Sequence, residues 1–112
     1  MTSASLQEFK ADFFRALAHP LRIRILETLG SGDRTVQELQ HALGLEQPIV
    51  SQQLAVLRGK KIVTARKTGN TVAYALSDPL VTRLLAVARD IFNNHLAESR
   101  TMLRELQRER RR

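Results

Sequence analysis

The stretch Gln47–Lys60, reading Gln-Pro-Ile-Val-Ser-Gln-Gln-Leu-Ala-Val-Leu-Arg-Gly-Lys, constrains the fold more than any other. Val50, Leu54 and Leu57 recur at i, i+4, i+7, which predicts a helix with one buried stripe. Gln47, Ser51, Gln52 and Arg58 fall away from that stripe. Hydroxyl and amide groups both donate and accept hydrogen bonds, and base edges in a major groove ask for that chemistry. Pro48 suits the first turn, where a missing N–H costs nothing. Gly59 ends the helix, and Lys60 and Lys61 follow. An ordinary amphipathic helix with a solvated polar face shows the same pattern, so the flanking segments decide between the two.

Upstream, Thr35-Val-Gln-Glu38 fits a capping box and opens a short helix with Val36, Leu39 and Leu43 inward. Gly44 makes a tight turn into the Gln47–Lys60 helix. A short helix, a glycine turn and a second helix with an exposed polar face is the helix-turn-helix arrangement. Earlier still, Ser5-Leu-Gln-Glu8 predicts the start of a first helix carrying Leu6, Phe9, Phe13 and Leu17 at helical spacing, with Phe14 alongside. That is a heavy apolar load for a terminal helix; core packing explains part of it and a partner subunit the remainder. His19-Pro20 breaks this helix and starts a second, with Pro20 at its first position and His19 in a structural role. Leu21, Ile25, Leu26 and Leu29 form its buried face, Arg22 and Arg24 lie toward solvent, and Gly30 and Gly32 close it.

Downstream, Ile62–Leu76 changes period. Val72, Tyr74 and Leu76 alternate with Thr71, Ala73 and Ala75, which is strand spacing. Lys67-Thr-Gly69-Asn70 supplies residues that tolerate positive φ in a hairpin turn. From Arg58 to Lys67 there are five basic residues and no acid. A basic two-stranded wing can lie against phosphates while the helix enters the groove. On this reading Lys60, Lys61, Arg66, Lys67, Thr68 and Asn70 meet the backbone.

Ser77-Asp78-Pro79 is a helix start, with Asp78 as cap. No Pro or Gly follows, so a helix is expected from Pro79 to about Gln107, roughly 42 Å long, with Arg108–Arg112 frayed. Leu80, Leu84, Val87 and Ile91 form one stripe; Phe92, Leu96, Leu103 and Leu106 form a second, with Ser99 filling the gap. A core this small cannot cover both, so the second stripe should pair with another subunit. The expected fold is mainly helical with a small antiparallel hairpin: a dimeric winged helix-turn-helix with four helices, two strands and a fifth helix. Residues 1–112 form one domain, and its first and last helices make the dimer interface through Leu6, Phe9, Phe13, Phe92, Leu96, Leu103 and Leu106.

Composition narrows the function classes. The 112 residues suit one domain, and 18 basic against 11 acidic side chains give a net charge of +7, which favours a polyanionic partner such as double-stranded DNA. There is no cysteine, so disulfides, thiolate metal sites and cysteine catalysis are excluded. One Tyr and no Trp are a poor supply for stacking on single-stranded bases. No apolar run reads as a membrane span or a signal peptide, and a cytoplasmic location is expected. No phosphate loop or catalytic constellation is present, so an enzyme is not expected. A module that pairs with a partner regulator is the competing reading, but it has no need of the Arg58–Lys67 basic run.

Three segments resemble the ArsR/SmtB family of winged helix-turn-helix transcriptional regulators: Ala16-Leu-Ala-His-Pro-Leu-Arg-Ile-Arg-Ile-Leu26, Val50-Ser-Gln-Gln-Leu-Ala-Val-Leu-Arg58, and Gly69-Asn70 with Tyr74-Ala-Leu76. The resemblance covers nearly the whole chain. It implies a cytoplasmic homodimer that binds an imperfect inverted repeat, usually as a repressor released by an inducer. It also implies that Gln47, Ser51 and Gln52 face the groove. Many members sense metals, but this sequence departs from their ligand patterns. Thr35 and Gln37 stand where the arsenic and cadmium type has Cys-x-Cys. Asp90-Ile-Phe92 lacks the His of the zinc type, and so does Leu103-Arg-Glu105-Leu106. His95 and Glu98, at i, i+3, could share a divalent metal such as nickel, cobalt or zinc, completed across a dimer.

Overall fold

The computed structural model describes residues 3–111. Within them run α1 (Ser3–Leu17), α2 (Pro20–Leu29), β1 (Arg34–Thr35), α3 (Val36–Leu43), α4 (Gln47–Gly59), β2 (Val63–Thr68), β3 (Thr71–Leu76) and α5 (Leu80–Arg111). The packing falls into two compact units, residues 1–82 and residues 83–112. This is a winged helix-turn-helix, mainly helical with a small antiparallel sheet. Among the described residues no helix is long and apolar enough to cross a membrane.

Local chemistry sets the boundaries. α1 begins two residues before Ser5, so Ser5-Leu-Gln-Glu8 lies inside the helix and does not start it. Nothing at Ser3 or Ala4 breaks a helix, and alanine is the best helix former. His19 has the extended backbone of a cap, and its Nδ1 accepts the Leu21 N–H at 3.1 Å, with Pro20 in the first turn. The capping box at α3 is complete: the Glu38 N–H donates to the Thr35 hydroxyl at 3.1 Å, and the Thr35 N–H donates to the Glu38 carboxylate at 3.0 Å. The Thr35 backbone N–H on the carboxylate, aided by the Thr35 side chain, holds the Glu38 carboxyl below its usual value. Thr35 also belongs to a third strand that periodicity did not reveal. β1 pairs antiparallel with β3, Arg34 opposite Tyr74 and Thr35 opposite Ala73, giving the strand order β1-β3-β2. A cap residue already has β-region backbone, so two residues suffice to extend the sheet.

β3 is therefore the central strand, and the in-out alternation expected of it is absent: Val72 to Leu76 are all half-buried. The hairpin turn is just Gly69-Asn70, because Thr68 pairs with Thr71. Gly69 has φ 61°, as the first position of a II′-type hairpin turn requires.

The core of the first unit draws on each of its helices. It contains Ala16 and Leu17 from α1; Ile25, Leu26 and Leu29 from α2; Leu39 from α3; and Val50, Leu54 and Leu57 from α4. Ile62, Val63 and Val81 complete it. Arg22 departs from its expected solvent position: it is half-buried, and its Nε has no hydrogen-bond partner. Arg24 is exposed, but its Nη2 donates to the Leu43 carbonyl at 3.0 Å and so ties α2 to the end of α3. That end is closed by Gly44, whose φ of 66° is left-handed.

α5 is longer than expected. Asp78 caps it, its Oδ1 accepting the Leu80 N–H at 2.9 Å. The helix then runs 32 residues to Arg111, about 48 Å. Arg108 to Arg111 are helical, not frayed. Arginine, glutamate and glutamine are good helix formers, and cations at a C-terminus suit the helix dipole.

Candidate nucleic-acid interface

The turn at Gly44 and the burial of Val50, Leu54 and Leu57, each at most 1% exposed, fix which side of α4 faces outward. At about 100° per residue, Gln52 lies opposite the core stripe, among Pro48, Ala55 and Gly59, all four exposed. Small neighbours let another surface approach the helix closely around one long amide. Gln47, Ser51 and Arg58 occupy the flank beside this face. Gln47 Nε2 donates to Ser51 Oγ at 2.8 Å, so these two side chains form one polar unit. On the opposite flank Ile49 and Val56 are exposed, at 38% and 37%. Sequence reasoning passed over these two; their aliphatic groups can meet thymine methyls. Gln53 points elsewhere: it is half-buried, with its Oε1 unpartnered.

Beyond α4 the chain reverses on an unusual residue. The Ile62 N–H donates to the Leu57 carbonyl at 2.9 Å and the Lys61 N–H to the Arg58 carbonyl at 3.0 Å. This is the Schellman pattern, which places its left-handed residue at Lys61, φ 61°. Gly59, expected to end the helix, is its last residue and sits two places before that reversal. The left-handed conformation costs a non-glycine residue about 1–2 kcal/mol; burial of Leu57 and Ile62 against that cost holds the turn. The result is a shallow groove lined by Arg58, Lys61, Val63, Thr64, Ala65 and Ser77. Two cations and two hydroxyls there suit a phosphate.

The wing does not present its cations as one pair. Arg66 stands opposite Ala73 and Lys67 opposite Val72. Consecutive strand residues point to opposite faces, so Arg66 shares a face with Thr64 and Thr68, and Lys67 shares one with Ala65. Thr68 and Asn70 are exposed at the tip. Lys60 differs from its neighbours: its Nζ is 2.9 Å from the Asp12 carboxylate of α1, with both side chains roughly half exposed. The hydrogen bond from Lys60 lowers the Asp12 carboxyl; desolvation opposes it, and the charges of Lys60 and Arg15 reinforce it. Lys60 is therefore paired within the chain, whereas Arg58, Lys61, Arg66 and Lys67 make no ion pair among the described residues. No acid interrupts the sequence between Glu46 and Asp78, so the segment itself carries only positive charge.

Two further faces are apolar. On α1, Leu6, Phe9 and Phe14 are 53%, 74% and 56% exposed. Phe13, expected among them, is half-buried, with its ring edge-on to Phe14 at 5.6 Å between centroids. It lies one turn before buried Leu17 and shares its face. On α5, Phe92, Leu96, Leu103 and Leu106 are all exposed, and so is Met102. The stripe Leu80, Leu84, Val87, Ile91, which the chain's own core was expected to cover, is exposed as well except at Leu84. His95 and Glu98 are exposed on the same helix. Among the described residues no three His, Cys, Asp or Glu side chains cluster as metal ligands.

A family model for bacterial regulatory proteins of the arsR family matches residues 19–65. The HTH-type transcriptional regulator Rv0081 of Mycobacterium tuberculosis is 46% identical over 107 residues, 95% of this chain and 94% of its own. Its crystal structure superposes with a TM-score of 0.78 at 47% identity, covering 84% of this chain and 95% of that one. The solution structure of the homodimeric winged helix-turn-helix DNA-binding domain Mb0332 of Mycobacterium bovis gives a TM-score of 0.77 at 30% identity, covering 86% and 89%. The biofilm growth-associated repressor of Xylella fastidiosa is 35% identical over 82 residues, 73% of this chain and 72% of its own. The chain belongs to the arsR family of winged helix-turn-helix, DNA-binding transcriptional regulators.

Proposed function

We propose that this regulator is a cytoplasmic homodimeric repressor that reads an inverted-repeat operator with α4 and grips the backbone with its wing. The observation that carries the reading is the outward face of α4. There Gln52 stands among Pro48, Ala55 and Gly59, with the Gln47–Ser51 pair beside it and a stretch free of acids continuing into the hairpin. Gln52, Gln47 and Ser51 meet base edges, and Arg58 and Lys61 seat a phosphate at the helix end. Arg66, Lys67, Thr68 and Asn70 contact backbone from the two sides of the wing. Lys60 joins them only by leaving Asp12.

The two readers of a dimer then lie about 34 Å apart, one duplex turn, which is why the operator should be an inverted repeat. The exposed apolar faces of α1 and α5 supply the dimer contact, so the whole chain works as one domain. The homodimeric Mb0332 domain and the Xylella repressor support dimerisation and repression for this chain.

The test is a titration against operator and random duplexes at several salt concentrations. Gln52→Ala is expected to cost about 1–3 kcal/mol on the operator and little on random DNA. Arg66→Ala and Lys67→Ala are expected to weaken both duplexes alike, each flattening the salt slope by roughly one contact per subunit. Equal weakening of both duplexes by Gln52→Ala would show that α4 is not the reader. An unchanged salt slope in the wing variants would reduce the basic run to a solvated surface.

A further inference from the structure

Beyond Thr82 the chain carries eight arginines, no lysine and four acids, so more than half of the net positive charge lies outside the winged unit. On α5, Arg89, Arg100, Arg104, Arg108 and Arg111 fall within a sector of roughly 100° about the helix axis. They are exposed. Glu98, Glu105 and Glu109 lie on another side, and Asp90 is the one acid at the edge of the arginine sector. Among the described residues none of these arginines is in an ion pair.

This arrangement works against the helix itself. Long helices that remain in water gain support from opposite charges at i, i+4. Here each i, i+4 pair of formal charges on α5 has like signs: Arg100 with Arg104, Arg104 with Arg108, and Glu105 with Glu109; Glu105 with Arg108 is the one opposite pair at i, i+3. Segregation of this kind destabilises an isolated helix and concentrates one sign on one face, which suits a partner of the opposite sign. A shallow groove lined by Asn93, Leu96, Ala97, Arg100, Thr101 and Arg104 opens on that face.

We propose that the arginine face of α5 is a second DNA-backbone surface, separate from α4 and the wing and blind to sequence. The proposal rests on the DNA reading given above for α4. Arg100 to Arg111 extends about 16 Å along the helix, a length over which a duplex presents roughly ten phosphate charges. A regular polyanion matches a regular file of cations better than a compact acidic patch would. The exclusive use of arginine fits as well, since the planar guanidinium meets phosphate oxygens two at a time where an ammonium meets one.

The test uses the full chain with Arg100→Gln, Arg104→Gln and Arg108→Gln combined. Glutamine preserves helix propensity, and far-UV circular dichroism checks that α5 is intact. A second variant with lysine at the same three positions keeps the charge. Binding to a random duplex is measured from low to moderate salt. The glutamine variant is expected to bind at least tenfold more weakly at the lowest salt, with a salt slope shallower by about two to three per subunit. Its ratio of operator to random affinity should be unchanged, and the lysine variant should keep the wild-type slope. A slope unchanged in the glutamine variant, while Gln52→Ala still weakens binding to the operator and spares random DNA, would overturn this proposal alone. Conversion of that variant to monomer by light scattering would overturn it too, because the face would then be a subunit contact. Wild-type protein that bound no duplex at any salt would overturn the α4 reading and this one together.

Discussion

α4 and the second half of α5 carry nearly the same apolar rhythm and meet opposite fates. On α4, Val50, Leu54 and Leu57 are buried within their own chain. On α5, Phe92, Leu96, Leu103 and Leu106 stay 57–63% exposed. The difference lies in the neighbours. α2, α3 and β2 close over α4, whereas the apolar face of α5 has more length than one chain covers. A periodic stripe establishes that a helix has an apolar side; it does not say which chain covers it. The two helices also handle charge differently. α4 keeps its outward face neutral and small around Gln52, while α5 sorts arginine and glutamate onto separate faces.

The comparison can be broken most sharply on α5. Leu96→Glu with Leu103→Glu puts charge into the stripe assigned to a second subunit. Losing burial of these leucines in both subunits is expected to cost the dimer on the order of 6–12 kcal/mol. Light scattering should then find monomer at micromolar concentration, with the helical content of the first unit retained. A double variant that remained dimeric would move the interface elsewhere. The counterpart on α4 is Leu54→Ala, which leaves a cavity inside the chain. It should lower unfolding stability by about 2–5 kcal/mol in a denaturant titration; a cost well under 1 kcal/mol would mean that α4 does not organise the core. The smallest effect sharpens the contrast. A methyl group added at Gly59 meets nothing within 4 Å, so Gly59→Ala is expected to raise stability by about 0.4–1 kcal/mol. The same methyl stands on the face around Gln52. Operator binding should therefore weaken while stability rises; unchanged binding would exclude close approach of DNA at that end of α4.

Much of this was legible because the signals are local. Thr35 and Glu38 satisfy each other within one turn, His19-Pro20 fixes a helix start, and Gly44 supplies a left-handed residue where a turn needs one. Each involves side chains a few residues apart, so spacing alone reveals it. The misses share the opposite property. β1 exists only because Tyr74 and Ala73 come alongside Arg34 and Thr35, and β3 lost its alternation for the same reason. Phe13 and Phe14 look interchangeable in sequence, and only packing beside Leu17 turns one inward. The pairing of Lys60 with Asp12 spans 48 residues, beyond the reach of any motif. The separation of Arg66 and Lys67 onto opposite faces of the wing needed the strand register.

By itself, then, the sequence determined which segments are helical, where the turn before α4 falls, which side of α4 is apolar, and that the stretch from Gln47 to Ser77 holds cations without acids. These follow from periodicity, capping and charge, which act over one or two turns. Tertiary structure decided the rest: the third strand, the left-handed Lys61 that seats Arg58 beside the hairpin, the internal partner of Lys60, and the exposure of nearly the whole apolar length of α5. Those outcomes depend on which distant residues arrive as neighbours, and burial, pairing and strain have no value until they do.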